Sequence, residues 1–408
     1  MPEQIAQSGA SNTRPEMDLL CWCARTEFSP EIAARIRMAV QKDVDWLAVI
    51  RLAMQHDVMP LLYRSLQRVC PNAVPDSISG PLRAHYQTQS AQARRQAEEL
   101  VQVLAACADQ GIRAVPYKGP ALAQSLYGDV SLRTFGDLDI LILDRDVTRA
   151  RDLLQRLRYE FIPPNNTDDL VEHVRTGREF QFKGVEGTSL ELHWRFGSRL
   201  VRVKNDPERF LQRLETICLA GAQVPSLSLE DYFLVLSLHA TKHQWKQLKL
   251  ICDIAEILGR PDLDWNYVLR EAHSLGLMRM LAVGAVLAKD SLHSALPAEL
   301  ARGLKMDGTA QDMADRIRRD FAEESDEAWR MEADFSFQLK IRERLRDRAS
   351  LLCRHLPDGL APNERDRRFL PMPEVLSPLY CLVKPIRWTW EKFHAGAHRA
   401  PVGRHALR

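Results

Sequence analysis

The hydrophobic and polar positions divide the chain into stretches of different period. From about Met17 to Gln110, apolar residues recur every three to four positions, as in Ile36-Ala39-Val40 and Leu100-Val103-Leu104-Cys107. That spacing places them along one side of successive helices. Pro71, Pro75, Gly80 and Pro81 interrupt the pattern and predict a break between two helices. Ile112–Tyr117 then reads as a strand running into Lys118-Gly119-Pro120, with a short helix over Ala121–Tyr127. Pro120 suits the first turn of that helix, where a missing N–H costs nothing. The run Asp137-Leu-Asp-Ile-Leu-Ile-Leu143 predicts a buried strand, and Val147–Arg158 predicts an amphipathic helix. Beyond the turn-rich stretch Pro163–Asp169, Glu179–Gly184 and Ser189–Phe196 predict a hairpin closed by Val185–Thr188. Helical spacing returns from Leu229 to about Arg348. The expected organisation is a disordered start (1–16), an N-terminal helical region (17–110), an α/β core (111–200), a C-terminal helical region (201–350) and a proline-rich, basic-aromatic tail (351–408). The fold class is α+β, a small mixed β-sheet flanked by N- and C-terminal helical regions.

One repeat cuts across this division. Asp43-Val-Asp-Trp-Leu-Ala-Val-Ile-Arg-Leu-Ala53 aligns without gaps on Asp262-Leu-Asp-Trp-Asn-Tyr-Val-Leu-Arg-Glu-Ala272, and the match continues to Met59 with Met278 and Leu62 with Leu281. Asp45 and Asp264 stand where each can cap a helix, with Trp46 and Trp265 anchoring the first turn. The repeat predicts two similar capped helices, from chance or ancient duplication, and carries no chemistry of its own.

Composition narrows the setting. The 408 residues leave room for two or three domains, and a net charge of +2 gives no global field that demands nucleic acid or a membrane as partner. The eight cysteines are scattered and form no CxxC pair, while Cys21-Trp22-Cys23 is too tight for an ordinary disulfide or zinc knuckle; a reducing compartment is expected. Met1–Pro15 lacks the apolar core of a secretory signal, and the apolar run near Leu281–Ala288 is far short of a membrane span. These features predict a cytoplasmic protein. Between Lys384 and Arg408, six basic residues and one acid are interleaved with Trp388, Trp390 and Phe393. Such a tail either seats peripherally at an anionic inner-membrane surface or packs its aromatics on the body of the protein. Specific nucleic-acid binding is not expected.

The candidate chemistry begins with Asp137 and Asp139. Residues two apart on a strand share a face, so both carboxylates project to one side while Leu138 and Ile140 pack on the other. Two like charges this close repel unless a cation or proton sits between them, and Mg²⁺ takes carboxylate oxygens. The competing reading is a capped turn or ion-paired strand start with Arg133 as counter-ion. A further cluster, His239, Lys242, His243, Trp245 and Asp253, falls in a helical stretch. His239 and His243 have metal-ligand spacing, but no HExxH pattern or cysteine pair completes a zinc site. Either this helix borders a cleft, with Lys242 or His243 near phosphates or acceptor, or the cluster is structural, with Asp253 pairing to a helix partner. The chain has no GxxxxGK[ST], GxGxxG or Gly-x-Ser-x-Gly motif.

Three motifs in order carry a family resemblance: Tyr117-Lys-Gly-Pro-Ala-Leu-Ala-Gln-Ser-Leu-Tyr127, Arg133-x-x-Gly-Asp-Leu-Asp-Ile-Leu-Ile142 and Leu190-Glu-Leu-His-Trp194. Together they resemble the uncharacterised nucleotidyltransferase family of the DNA polymerase β-like superfamily, over about residues 17–290. The resemblance implies that Asp137 and Asp139 join a third acid, Glu191, in holding divalent ions (Mg²⁺ or Mn²⁺) against a nucleoside triphosphate. It implies that Lys118, Gly119 and Arg133 handle phosphates and that His193 orients Glu191 or the acceptor. The chain departs from the superfamily in two places. Glu191 is one methylene longer than the usual aspartate, and Lys-Gly-Pro replaces a Gly-Ser turn. The expected activity is Mg²⁺-dependent transfer of a nucleoside monophosphate to a hydroxyl acceptor (a sugar, a small metabolite or a protein), releasing pyrophosphate. The alternative is a catalytically degenerate member that serves as a nucleotide-binding scaffold or regulator.

Overall fold

The computed structural model describes residues 14–164, 170–196, 207–304, 308–322, 335–360 and 369–370. The expected tail contact at 384–408 and all but the last residues of the expected disordered start at 1–16 lie outside the described residues. Two units can be distinguished, Met1–Glu343 and Arg344–Arg408.

The first unit opens with α1 (Pro15–Cys23), α2 (Pro30–Val40), α3 (Trp46–Gln55), α4 (Met59–Val69) and the long α5 (Asp76–Asp109). Ser29 caps α2 by accepting from the Ile32 N–H, and Asp45 caps α3 by accepting from the Ala48 N–H. The predicted break falls at Cys70–Pro75, whereas Gly80 and Pro81 lie inside the start of α5. A proline this near a helix start forfeits one intrahelical bond without ending the helix. Ala93, Ala97, Leu100 and Leu104 of α5 share a buried cluster with Leu138 and Ile140, which fixes the apolar side of the Asp137 strand.

The core follows as β1 (Val115–Pro116), α6 (Gly119–Tyr127), β2 (Asp137–Leu141), α7 (Val147–Arg156), β3 (Glu160–Ile162), α8 (Leu170–Thr176), β4 (Glu179–Lys183) and β5 (Ser189–His193). These strands form one sheet in the order β1-β2-β5-β4-β3. It is mixed: β2 and β5 run parallel and the other pairs antiparallel. The predicted strand over Ile112–Tyr117 pairs only through Val115 and Pro116, and the edge strand β3 is an addition. After α9 (Pro207–Leu211), a separate hairpin of β6 (Glu215–Leu219) and β7 (Ala222–Ser226) turns through Ala220 and Gly221, both at positive φ. It lies within the region expected to be helical.

Helices resume with α10 (Leu229–Lys242), α11 (Leu248–Leu258), α12 (Trp265–Leu275), α13 (Met278–Leu292), α14 (Ala298–Gly303), α15 (Gly308–Ala322) and α16 (Phe335–Lys340). In the second unit, α17 spans Leu345–Leu360. Among the described residues no helix is long and apolar enough to cross a membrane. Cys21, Cys23, Cys70, Cys107, Cys218 and Cys252 carry free thiols.

The sequence repeat is a structural one. Asp264 caps α12 by accepting from the Tyr267 N–H, as Asp45 caps α3. The turns that follow superpose in hydrogen bonding: Val58 N–H donates to Ala53 O at 2.9 Å and Leu277 N–H to Ala272 O at 2.8 Å. The residues that reverse the chain, Asp57 (φ 58) and Gly276 (φ 77), occupy the same aligned position in the left-handed region. Each hairpin is also preceded by two helices, so α1–α4 and α10–α13 repeat one order on either side of the sheet. The copies touch where α11 begins. Lys249 Nζ lies 2.7 Å from Asp57 Oδ2, and Gln247 Nε2 donates to the same oxygen at 2.9 Å.

Candidate functional site

The parallel pairing of β2 and β5 sets Asp137 opposite Ser189, Asp139 opposite Glu191 and Leu141 opposite His193. Alternation then puts Asp137, Asp139, Glu191 and His193 on one face, while Leu138, Ile140, Leu190 and Leu192 are buried on the other. Asp139 is the hub. Its Oδ1 lies 2.5 Å from Lys118 Nζ and 2.9 Å from His193 Nε2, and His193 Nε2 is 3.2 Å from Glu191 Oε2. Asp139 Oδ2 is buried without a hydrogen-bond partner.

Lys118 reaches Asp139 because Gly119 lets the chain turn sharply from β1 into α6. Gly119 has φ +60, and a Cβ built there would stand 2.9 Å from the Asp137 carbonyl oxygen. Only glycine fits so close to the acidic strand in that conformation.

Two polar residues beyond the expected trio complete the cluster from β4. Glu179 stands across from His193 and Gln181 across from Glu191. Glu179 Oε2 is 3.3 Å from His193 Nδ1, and Gln181 Nε2 donates to Glu191 Oε1 at 3.3 Å. Of these two residues only Glu179 is a carboxylate, so the described face holds four acids: Asp137, Asp139, Glu179 and Glu191. Tyr117 packs edge-on against the His193 ring, with centroids 5.2 Å apart.

Electrostatics follow from this crowding. Burial opposes charge on Asp139, but Lys118 and His193 outweigh it and hold the carboxyl well below the usual range. Burial likewise opposes the imidazolium of His193, yet hydrogen bonds to Asp139, Glu179 and Glu191 raise its pKa to about 10. Lys118 is raised too, as Asp139 and Asp137 override its burial. Asp137 moves the other way: burial and the neighbouring Asp139 raise its pKa. The acids are thus partly neutralised by two cations of the chain's own.

The remaining expected residues divide. Lys242 is exposed at the end of α10, and its charge helps lower the pKa of Glu179, after the His193 hydrogen bond and against burial. His243 is half-buried, and burial followed by Lys242 pushes its pKa down to about 4. Its ring lies 4.6 Å from that of His239. These two histidines belong to no three-residue metal group among the described residues. Arg133, expected to handle phosphates, is engaged by another residue. It is buried and bonds bidentately to Asp253, Nε to Oδ1 and Nη2 to Oδ2, both at 2.8 Å, while Tyr127 donates to the same Asp253 Oδ1 at 2.7 Å. A guanidinium so desolvated and doubly bonded ties α11 to the loop before Asp137. The cations beside Asp139 are therefore Lys118 and His193, while Asp253 pairs with Arg133 and with Tyr127, the last residue of helix α6.

Glu179 and Gln181 escape sequence reasoning because the hairpin is closed one residue earlier than expected. Gly184 lies in the loop, and Lys183 pairs with Ser189. Pairing Gly184 with Ser189 would have turned Glu179 to the opposite face, since a one-residue slip inverts every side chain.

A mixed sheet that carries paired acids on one strand, with a third on the parallel neighbour and helices on both flanks, defines a nucleotidyltransferase fold. The chain belongs to the uncharacterised nucleotidyltransferase family, whose model matches residues 42–293. That match begins beside the Asp45 cap of α3 and ends just past α13, so it spans both hairpins of the repeat and the sheet between them. Among solved structures, the chain is similar to an antigenic nucleotidyltransferase-like protein from Paracoccidioides brasiliensis, at 16% identity and a TM-score of 0.28, over 54% of this chain and 97% of that one. No curated protein matches it.

The group Asp139, Glu191 and His193 could hold a metal ion, their ligand atoms all lying within 4.8 Å of one another. The fit is chemical as well as geometric. Two carboxylates and an imidazole are metal ligands by type, and the buried, unpartnered Oδ2 of Asp139 is an acceptor that a cation would satisfy.

Proposed function

We propose that the chain is a divalent-metal-dependent nucleotidyltransferase that moves a nucleoside monophosphate from a triphosphate to a hydroxyl acceptor. The observation that carries this reading is Asp139 facing Glu191 across the parallel pair, with Asp137 two residues before it. Asp137, Asp139 and Glu191 are the residues that hold Mg²⁺ or Mn²⁺. Such ions, when bound, polarise the α-phosphate and offset charge on the attacking and leaving oxygens.

The chain's own groups do the rest. Lys118 sits at the start of α6, where an ammonium can pass from Asp139 to a triphosphate oxygen as a point donor. Gly119 keeps that turn close to the acids. Lys242 and His243, at the end of α10, border the phosphates or the acceptor. His193 holds Asp139 and Glu191 in register. The acceptor hydroxyl releases its proton to solvent as its oxygen bonds to the α-phosphorus and the bond to pyrophosphate breaks. Sugars, small metabolites and protein side chains all offer such a hydroxyl.

The test is transfer of α-phosphate label from each of the four nucleoside triphosphates into cell lysate and into the protein itself, with Mg²⁺ or Mn²⁺. Labelled product with wild type, reduced at least hundredfold in Asp139→Asn, is the expected result. Metal-independent nucleotide binding without transfer would overturn it in favour of a scaffold or regulator. One observation favours that second reading: Lys118 and His193 already neutralise Asp139.

A further inference from the structure

The strand β4 supports the acidic site as well as the sheet. In the antiparallel pair with β5, Glu179 is directly opposite His193, and Gln181 directly opposite Glu191. Residues so opposed lie on the same face, so each inward-facing donor of β5 has its own polar neighbour. Glu179 engages His193 at Nδ1, 3.3 Å away, and Gln181 engages Glu191 at Oε1. What each donor keeps for the centre is its other atom. His193 Nε2 and Glu191 Oε2 converge with Asp139 within 4.8 Å, whereas Asp137 is not part of that group. The imidazole is buried, and Tyr117 stands edge-on to it, so its plane is fixed. Asp139, only 1% exposed, contributes the unpartnered Oδ2.

We infer that His193 is itself a metal ligand through Nε2, that Glu179 is its positioning residue, and that the resulting nitrogen–oxygen donor set favours Mn²⁺ over Mg²⁺. This rests on the nucleotidyltransferase reading and deepens it by naming the ion. A carboxylate that accepts from one ring nitrogen orients the imidazole, and a metal takes the other nitrogen by displacing to solvent the proton that Nε2 shares with Asp139 Oδ1 in the bare chain. Glu179 stands in that place. Mg²⁺ takes oxygen ligands and seldom gives up its waters for nitrogen, while imidazole suits the later divalent ions.

The experiment uses the full chain and Mn²⁺ alone, without nucleotide. Pulsed electron paramagnetic resonance reads directly bound nitrogen, and titration calorimetry reads Mn²⁺ and Mg²⁺ affinities. Wild type is expected to show the nitrogen coupling of one bound imidazole. His193→Gln is expected to lose it and to bind Mn²⁺ about tenfold to hundredfold more weakly, with a much smaller change for Mg²⁺. Glu179→Gln is expected to keep the coupling and lose about tenfold in Mn²⁺ affinity. Bound Mn²⁺ in wild type without nitrogen coupling would overturn the histidine ligand and leave the nucleotidyltransferase reading standing. So would equal loss of both ions in His193→Gln. Failure of wild type to bind either ion would remove the inference and the metal-dependent reading together. The wild-type spectrum decides the matter even if His193→Gln does not fold.

Discussion

Lys118 Nζ and Asp139 Oδ1 stand 2.5 Å apart, and His193 Nε2 meets the same carboxylate oxygen while Asp139 Oδ2 has no hydrogen-bond partner. The bare chain therefore uses an ammonium as one of the cations that its acids require. Lys118→Met removes that charge and keeps the side-chain length. Divalent-ion affinity without nucleotide is expected to rise about tenfold, the equivalent of about 1.4 kcal/mol, because a competing cation is gone. Triphosphate affinity is expected to fall by a similar factor. Calorimetry with Mn²⁺ and with a non-hydrolysable triphosphate separates the two, and a fall in both would show that Lys118 only supports the fold.

Gly119→Ala tests the turn. At φ +60, with the Asp137 carbonyl 2.9 Å from the new Cβ, alanine must shift the backbone that carries Lys118. A loss of about 1–3 kcal/mol in stability is expected from the strained conformation. Triphosphate binding should fall with it. Denaturant unfolding measures the first and calorimetry the second; an alanine variant with native stability would mean the turn tolerates a side chain.

Asp253→Asn leaves the Arg133 guanidinium buried without its counter-charge. Breaking such a pair from one side costs about 3–5 kcal/mol. The double variant Arg133→Met with Asp253→Asn should recover part of that loss, because neither charge is then stranded. In either variant that folds, KM for the triphosphate should stay close to wild type. A large rise in KM on changing Arg133 would restore the phosphate role expected from sequence.

A pH signature comes from Asp231, away from the acidic cluster. Burial raises its pKa to about 6, against the opposing influence of Tyr267, Arg213 and Ser228, with Glu230 adding to the rise. Tyr267 donates to its Oδ1 at 2.8 Å, and Arg213 Nε is 3.9 Å from Oδ2. The folded chain thus holds this proton to higher pH than the unfolded chain, whose carboxyl titrates near the ordinary value of about 4. The associated stability is fully present below about pH 4 and is lost as pH rises through about 6. The stability of wild type minus that of Asp231→Asn should therefore decline across that window in denaturant titrations. A flat difference would mean that Asp231 is ionised throughout.

The legible parts of this molecule are those written in short-range pattern. Asp137-Leu-Asp-Ile-Leu fixes both the strand and its acidic face, and Leu190-Glu-Leu-His does the same for β5. The parallel pairing of these strands joins segments far apart in sequence, and the family resemblance implied only that Glu191 joins the two aspartates. The hairpin β6–β7 was not legible: it turns on Ala220-Gly221, without the Asn-Gly or Asp-Gly signal of such turns. Arg133 looks available to phosphate because it stands just before an acidic strand. Its partner, Asp253, lies 120 positions away on a helix whose placement no local pattern fixes.

The repeat bears on how the site is held. Where one copy has bare backbone at Gly276, the other has Asp57, whose carboxylate clasps the first turn of α11 through Lys249. That same helix carries Asp253, which grips the approach to Asp137 through Arg133. One copy of the repeat thus anchors the other, and the second steadies the acidic strand. Changes in the first copy have a physical route to the acidic cluster.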